Sequence, residues 1–65
     1  MSNASWVIVR RATGEGVMET FNAELLPRLN AERYVAAPIM DYLCEFNRRI
    51  RAAGGVEPPQ EPWPT

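Results

Sequence analysis

The sequence predicts a small two-layer α+β domain. A β-hairpin, with or without a short third strand in a ββαβα order, packs on one long C-terminal helix. Three observations carry this reading. β-branched and aromatic residues gather at 6–10 and 17–21, on either side of a glycine-containing turn. Apolar residues recur at steps of four, three and four through Ile39, Leu43, Phe46 and Ile50, the stripe of an amphipathic helix. Proline stands at the start of that helix, at Pro38, and four prolines follow its end.

The first strand is Trp6 to Arg10 and the second Val17 to Phe21. Placing Gly14-Glu15 in a type II′ turn uses glycine where φ must be positive. That register sets Ile8 against Phe21 and Arg10 against Glu19, both sensible cross-strand pairs. A longer loop with Gly16 as a bulge shifts it by one. Asn22 is a suitable N-cap for a short helix over 23–29, limited by Pro27 and closed at Asn30. Residues 33–36 read as a short strand, because Pro38 biases Ala37 towards extended geometry. The helix then runs from Pro38 to about Ala53. Asp41 lies near its positive end, Arg48, Arg49 and Arg51 crowd its negative end, and Gly54-Gly55 stop it. Glu45 and Arg49 are spaced for an i,i+4 pair. The expected core is Ile8, Phe21, Leu25, Leu29, Val35, Ile39, Leu43, Phe46 and Ile50. Cutting Leu43 to alanine then costs ~2–5 kcal/mol.

Length bounds the organisation. A chain of 65 residues supports one domain, expected over 6–54. Residues 1–5 read as a disordered or vector-derived start, and 55–65 as a proline-rich tail suited to polyproline II. A core of this size is often worth only ~3–5 kcal/mol, so a staple or a partner is expected. The lone Cys44 has no disulfide partner, and one cysteine without histidine leaves too few ligands for a tetrahedral zinc site. No cofactor is called for. With one free thiol, no apparent export signal and no ~18-residue apolar run, the expected location is cytoplasmic, away from membranes.

Catalysis fails on inventory. Histidine and lysine are both absent, and Gly14-Glu15-Gly16 sits in a hairpin turn followed by a strand, not a phosphate loop opening a helix. The expectation is a protein that is not an enzyme. Cys44 flanks an apolar stripe and reads as a small, half-buried hydrophobe before it reads as a nucleophile. Seven arginines face eight acids, a net charge of −1 that disfavours general binding to nucleic acid. An arginine group of Arg10, Arg11, Arg48, Arg49 and Arg51 is the alternative reading, a nucleic-acid accessory protein.

In the expected register, Trp6, Ile8 and Phe21 share one sheet face, and Val7, Val9 and Met18 share the other. One helix covers one face only. The Val7/Val9/Met18 face then needs a partner protein, a second copy of the chain, or the tail with Trp63 as its anchor. A proline-rich segment loses little backbone entropy on docking. Pro59-Gln60-Glu61-Pro62 is also a P-x-x-P pattern, though without a basic flank.

The string Ala-Thr-Gly-Glu, Glu-Thr-Phe-Asn at 19–22, Leu29-Asn30, Tyr34, Pro38-Ile39 and Tyr42-Leu43 resembles small proteobacterial and prophage-type proteins of uncharacterised function. The resemblance spans about residues 6–50. It implies a compact ββαβα-like unit and a mobile-element origin, and carries over no catalytic or binding residue. The functional expectation is a non-enzymatic interaction protein that acts through protein–protein contact.

Overall fold

The structure, a computed structural model, describes residues 5–64. Residues 1–4 and Thr65 lie outside the described residues, and with them most of the expected vector-derived start. Ser5, assigned to that start, is instead buried: its hydroxyl donates to Glu19 Oε2 at 2.6 Å, and its carbonyl accepts from Ile39 N–H at 2.9 Å.

Three strands form one antiparallel sheet: β1 (Trp6–Arg10), β2 (Gly16–Thr20) and β3 (Tyr34–Pro38), in the order β2-β1-β3. One helix, α1 (Ile39–Ala52), follows β3 directly. The architecture is a small α+β domain. The third strand exists and runs through Pro38, which ends the strand and stands at the helix N-cap. Proline suits both places, since its ring fixes φ and it needs no amide partner.

The hairpin turn differs from the expected type. Arg10 N–H donates to Glu15 O at 2.8 Å, while Arg10 O accepts from both Thr13 and Gly14. The loop therefore has four residues, 11–14, and Gly14 takes its left-handed position at φ +74°. The register follows: Ile8 pairs with Met18 and Val7 with Glu19, and a bulge at Val17 then sets Val9 against Gly16. This is three positions away from Ile8 against Phe21. An odd shift exchanges the faces of β2. Met18 consequently lies on the face of Ile8, not with Val7 and Val9. Phe21 lies beyond the strand and is 69% exposed, outside the core assigned to it.

Between β2 and β3, Ala23–Arg28 form a 3-10 helix rather than an α-helix. Asn22 caps it as expected, its side chain accepting from Glu24 N–H at 3.0 Å. Pro27 within so short a segment favours the tighter turn. Asn30 closes the connection, its carbonyl accepting from Arg33 and Tyr34. Since β2 and β3 flank β1, this connection must pass across the sheet. Ile8 is buried yet lies outside the helix-side core, so the crossing runs over the face away from α1. Leu25, Leu26 and Leu29 are half-buried along it.

The core is small and centred on β1. Val7, Val9 and Ala37 are buried, with Val35, Ile39, Tyr42 and Trp63 packed against them. Burial of each valine is worth about 1.5–3 kcal/mol. The helix meets this core through Ile39 and Tyr42, not through the middle of its apolar stripe. Leu43 and Phe46 remain 41% and 40% exposed, so the stripe is turned partly off the sheet. A Schellman motif ends the helix, Gly55 N–H donating to Ile50 O and Gly54 N–H to Arg51 O.

Candidate interaction site: a buried arginine and the tail it holds

Positions 42, 45, 46 and 49 share one flank of a helix. On α1 they carry Tyr42, Glu45, Phe46 and Arg49. Arg49 is 5% exposed, and every polar contact it makes is specific. Its Nε donates to Glu45 Oε2 at 2.8 Å. Its two terminal nitrogens donate to the carbonyls of Glu61 at 2.8 Å and Pro62 at 2.9 Å. A buried guanidinium is costly unless its donors are satisfied. Here one carboxylate supplies the countercharge and two tail carbonyls supply the remaining acceptors. Among the described residues no buried side-chain nitrogen or oxygen lacks a partner.

Glu45 also accepts from Arg48, through Nε at 2.9 Å and a terminal nitrogen at 2.7 Å. Hydrogen bonds from Arg48 and then Arg49 hold its pKa down to about 2. Arg48 further approaches the Glu61 carboxylate at 3.5 Å.

The tail is held from the other side by the hairpin loop. Trp63 N–H donates to Arg11 O at 2.8 Å and Glu61 N–H to Thr13 O at 3.2 Å. Alternate tail residues therefore pair with alternate loop residues in antiparallel sense, as an added strand does. Pro62 falls between the two donors and Pro64 follows them, both at alternate positions that need no amide. Trp63 stacks on Tyr42, centroids 5.7 Å apart and planes 16° apart, and Tyr42 stacks on Phe46 at 5.9 Å. Arg49 Cζ lies 5.5 Å from the Trp63 ring centroid.

Two glycines make room for this arrangement. A Cβ on Gly14 would fall 2.8 Å from both Arg49 Cζ and the Glu61 carbonyl oxygen. One on Gly16 would fall 2.8 Å from the Tyr42 hydroxyl. Between the loop, the second half of α1 and residues 55–60 lies an open cleft of about 500 Å³, bordered by Thr13, Gly16, Tyr42, Phe46, Ile50 and Pro58.

The residues singled out from sequence separate into three groups. Val7, Val9 and Trp63 come together, but as the protein's own core, so the first two form no free face. Met18 is exposed on the opposite side of the sheet. The tail does fold back through Trp63, yet it shares the helix side rather than covering the other face, because Met18's transfer leaves the Val7/Val9 side open beside α1. The arginines are dispersed among partners. Arg10 meets Glu15 at 3.4 Å and lies over Tyr34, and Arg11 Nε donates to Ala31 O at 2.7 Å. Arg48 and Arg49 engage Glu45, while Arg51 is exposed. Cys44 is exposed rather than half-buried. Sequence reasoning missed Tyr42 and the burial of Arg49. The Glu45/Arg49 spacing was the available signal, and it identified the pair without its depth.

Among the described residues, no group of His, Cys, Asp or Glu could hold a metal ion, and no helix is long and apolar enough to cross a membrane. No protein-family model matches the chain, and no curated protein or solved structure is significantly similar to it.

Proposed function

We propose that this protein is a small, non-enzymatic interaction module that works by protein–protein contact, with itself or with another protein. The observation that carries this reading is the unspent half of the α1 stripe. Met40, Leu43 and Phe46 follow one another at steps of three along α1 and are 66%, 41% and 40% exposed, Phe46 also bordering the flank of Tyr42 and Arg49. Neighbouring exposed apolar side chains on a rigid element are a common basis for association. The placement differs from the sequence expectation, which put the contact face at Val7, Val9 and Met18. Cytoplasmic action and a mobile-element origin belong to the same proposal, supported by one free thiol and by the sequence pattern respectively. The nucleic-acid alternative draws less support, since Arg48 and Arg49 are paired with acid and tail.

Leu43→Arg tests the reading. Light scattering on the parent should show self-association, or cross-linking from position 40 should yield one defined protein adduct. At micromolar concentration, far below that needed for tails to exchange between copies, the variant should lose both while keeping its circular dichroism spectrum. A parent that stays monomeric at millimolar concentration and gives no adduct contradicts it.

A further inference from the structure

The tail contact has the form of peptide recognition. Residues 61 and 63 give their amides to Thr13 and Arg11, while the alternate positions 62 and 64, which need no donor, are prolines. Arg49 grips the carbonyls of Glu61 and Pro62, and Tyr42 provides the platform for an indole. Main-chain hydrogen bonds supply affinity in such modes, and the aromatic site supplies selectivity. The connection leading to it is only loosely tied. After the Schellman motif ends at Gly55, residues 56–60 make no backbone hydrogen bond among the described residues.

We propose that the groove between residues 11–13 and Arg49 is a recognition seat for an extended Glu-Pro-Trp-Pro segment, and that it accepts this segment from a second copy of the chain. The tail of a second copy is chemically identical to the occupant already seated. Exchange therefore preserves every contact of residues 61–63 and re-routes only the strap at 56–60. Such exchange of an identical element is a low-cost route to a symmetric dimer. The inference does not rest on the exposed stripe of α1.

A synthetic peptide of residues 56–64 carrying fluorotryptophan at 63, added to the full-length chain, tests the seat. A tethered tail competes at an effective concentration on the order of millimolar. The fluorine signal should shift saturably, half-complete near ~1 mM, and the same peptide with Trp63→Ala should not compete. The full-length Trp63→Ala variant, if folded, should bind the labelled peptide at least ~10-fold more tightly, its seat being vacant. For the second copy, a mixture of labelled and unlabelled chains at ~5 mM, above the tether's effective concentration, should show intermolecular contacts from Trp63 to Tyr42. Absence of a saturable shift up to ~10 mM, or equal competition by the alanine peptide, overturns the seat. A bound peptide without intermolecular Trp63 contacts overturns the exchange. Leu43→Arg should leave all these signals intact, which separates this proposal from association through α1.

Discussion

The helix α1 and the proline-rich tail exchange the roles their sequences suggest. α1 has the strongest apolar periodicity in the chain, yet Leu43 and Phe46 stay about 40% exposed and the helix contributes a buried arginine. The tail has no periodicity, yet its Trp63 packs on the central core beside Val7, Val9 and Ala37. Periodicity shows which side of a helix is apolar. It does not show how much of that side the neighbouring elements can reach. The sheet presents Val7 and Val9 of β1 with Val35 and Ala37 of β3, and the tail's indole joins Ile39 and Tyr42 in covering them.

The largest effect should therefore come from the tail. Trp63→Ala removes an aromatic side chain from the core and should cost about 3 kcal/mol in chemical denaturation. A loss within ~0.5 kcal/mol, the usual range for a surface substitution, would restore the tail to an accessory role. Arg49→Ala should come next, at about 2–3 kcal/mol, because it leaves two tail carbonyls without donors and Glu45 with one arginine fewer. Its Trp63 emission should move to longer wavelength, a change that simple loss of helix surface charge would not produce.

The sequence made much of the frame legible and some of the site. Residues 6–10 and 34–38 are extended as their side chains favour, Asn22 caps where its oxygen reaches Glu24 N–H, and Pro38 opens the helix. The register was not legible. Gly14 suits a two-residue turn and a four-residue loop equally, and only the hydrogen bonds at Arg10 O distinguish them. The depth of Arg49 was also hidden. An arginine becomes a core residue only when acceptors converge on it, and two of its three acceptors are backbone carbonyls whose position depends on the folded tail. Trp63 was identifiable because a lone large aromatic among prolines has a strong reason to dock and little entropy opposing it.

Gly14→Ala sharpens the comparison from the loop side. It places a side chain at positive φ and against the arginine–tail contact, and should cost about 1–2 kcal/mol by thermal melting. A neutral result would mean that the loop does not touch the tail in solution. Acid should act on the same network gradually. Because Glu45 titrates near 2 in the folded chain and higher when unfolded, its stabilisation is complete above about pH 4.5 and is lost as pH falls towards 2. Glu45→Gln should flatten this part of the stability–pH curve; an unchanged slope would remove Glu45 as its cause. Leu43→Ala should give the smallest change, about 1 kcal/mol, below the ~2–5 kcal/mol of a core leucine. A loss in the core range would return the stripe to the interior.

Hydrogen exchange at the Trp63 amide tests the central claim most directly, since that amide donates to Arg11 O across the junction of loop and tail. A docked tail predicts protection approaching that of the β1 amides, with parallel loss in Arg49→Ala. Exchange at the rate of an unstructured peptide in the parent would contradict it.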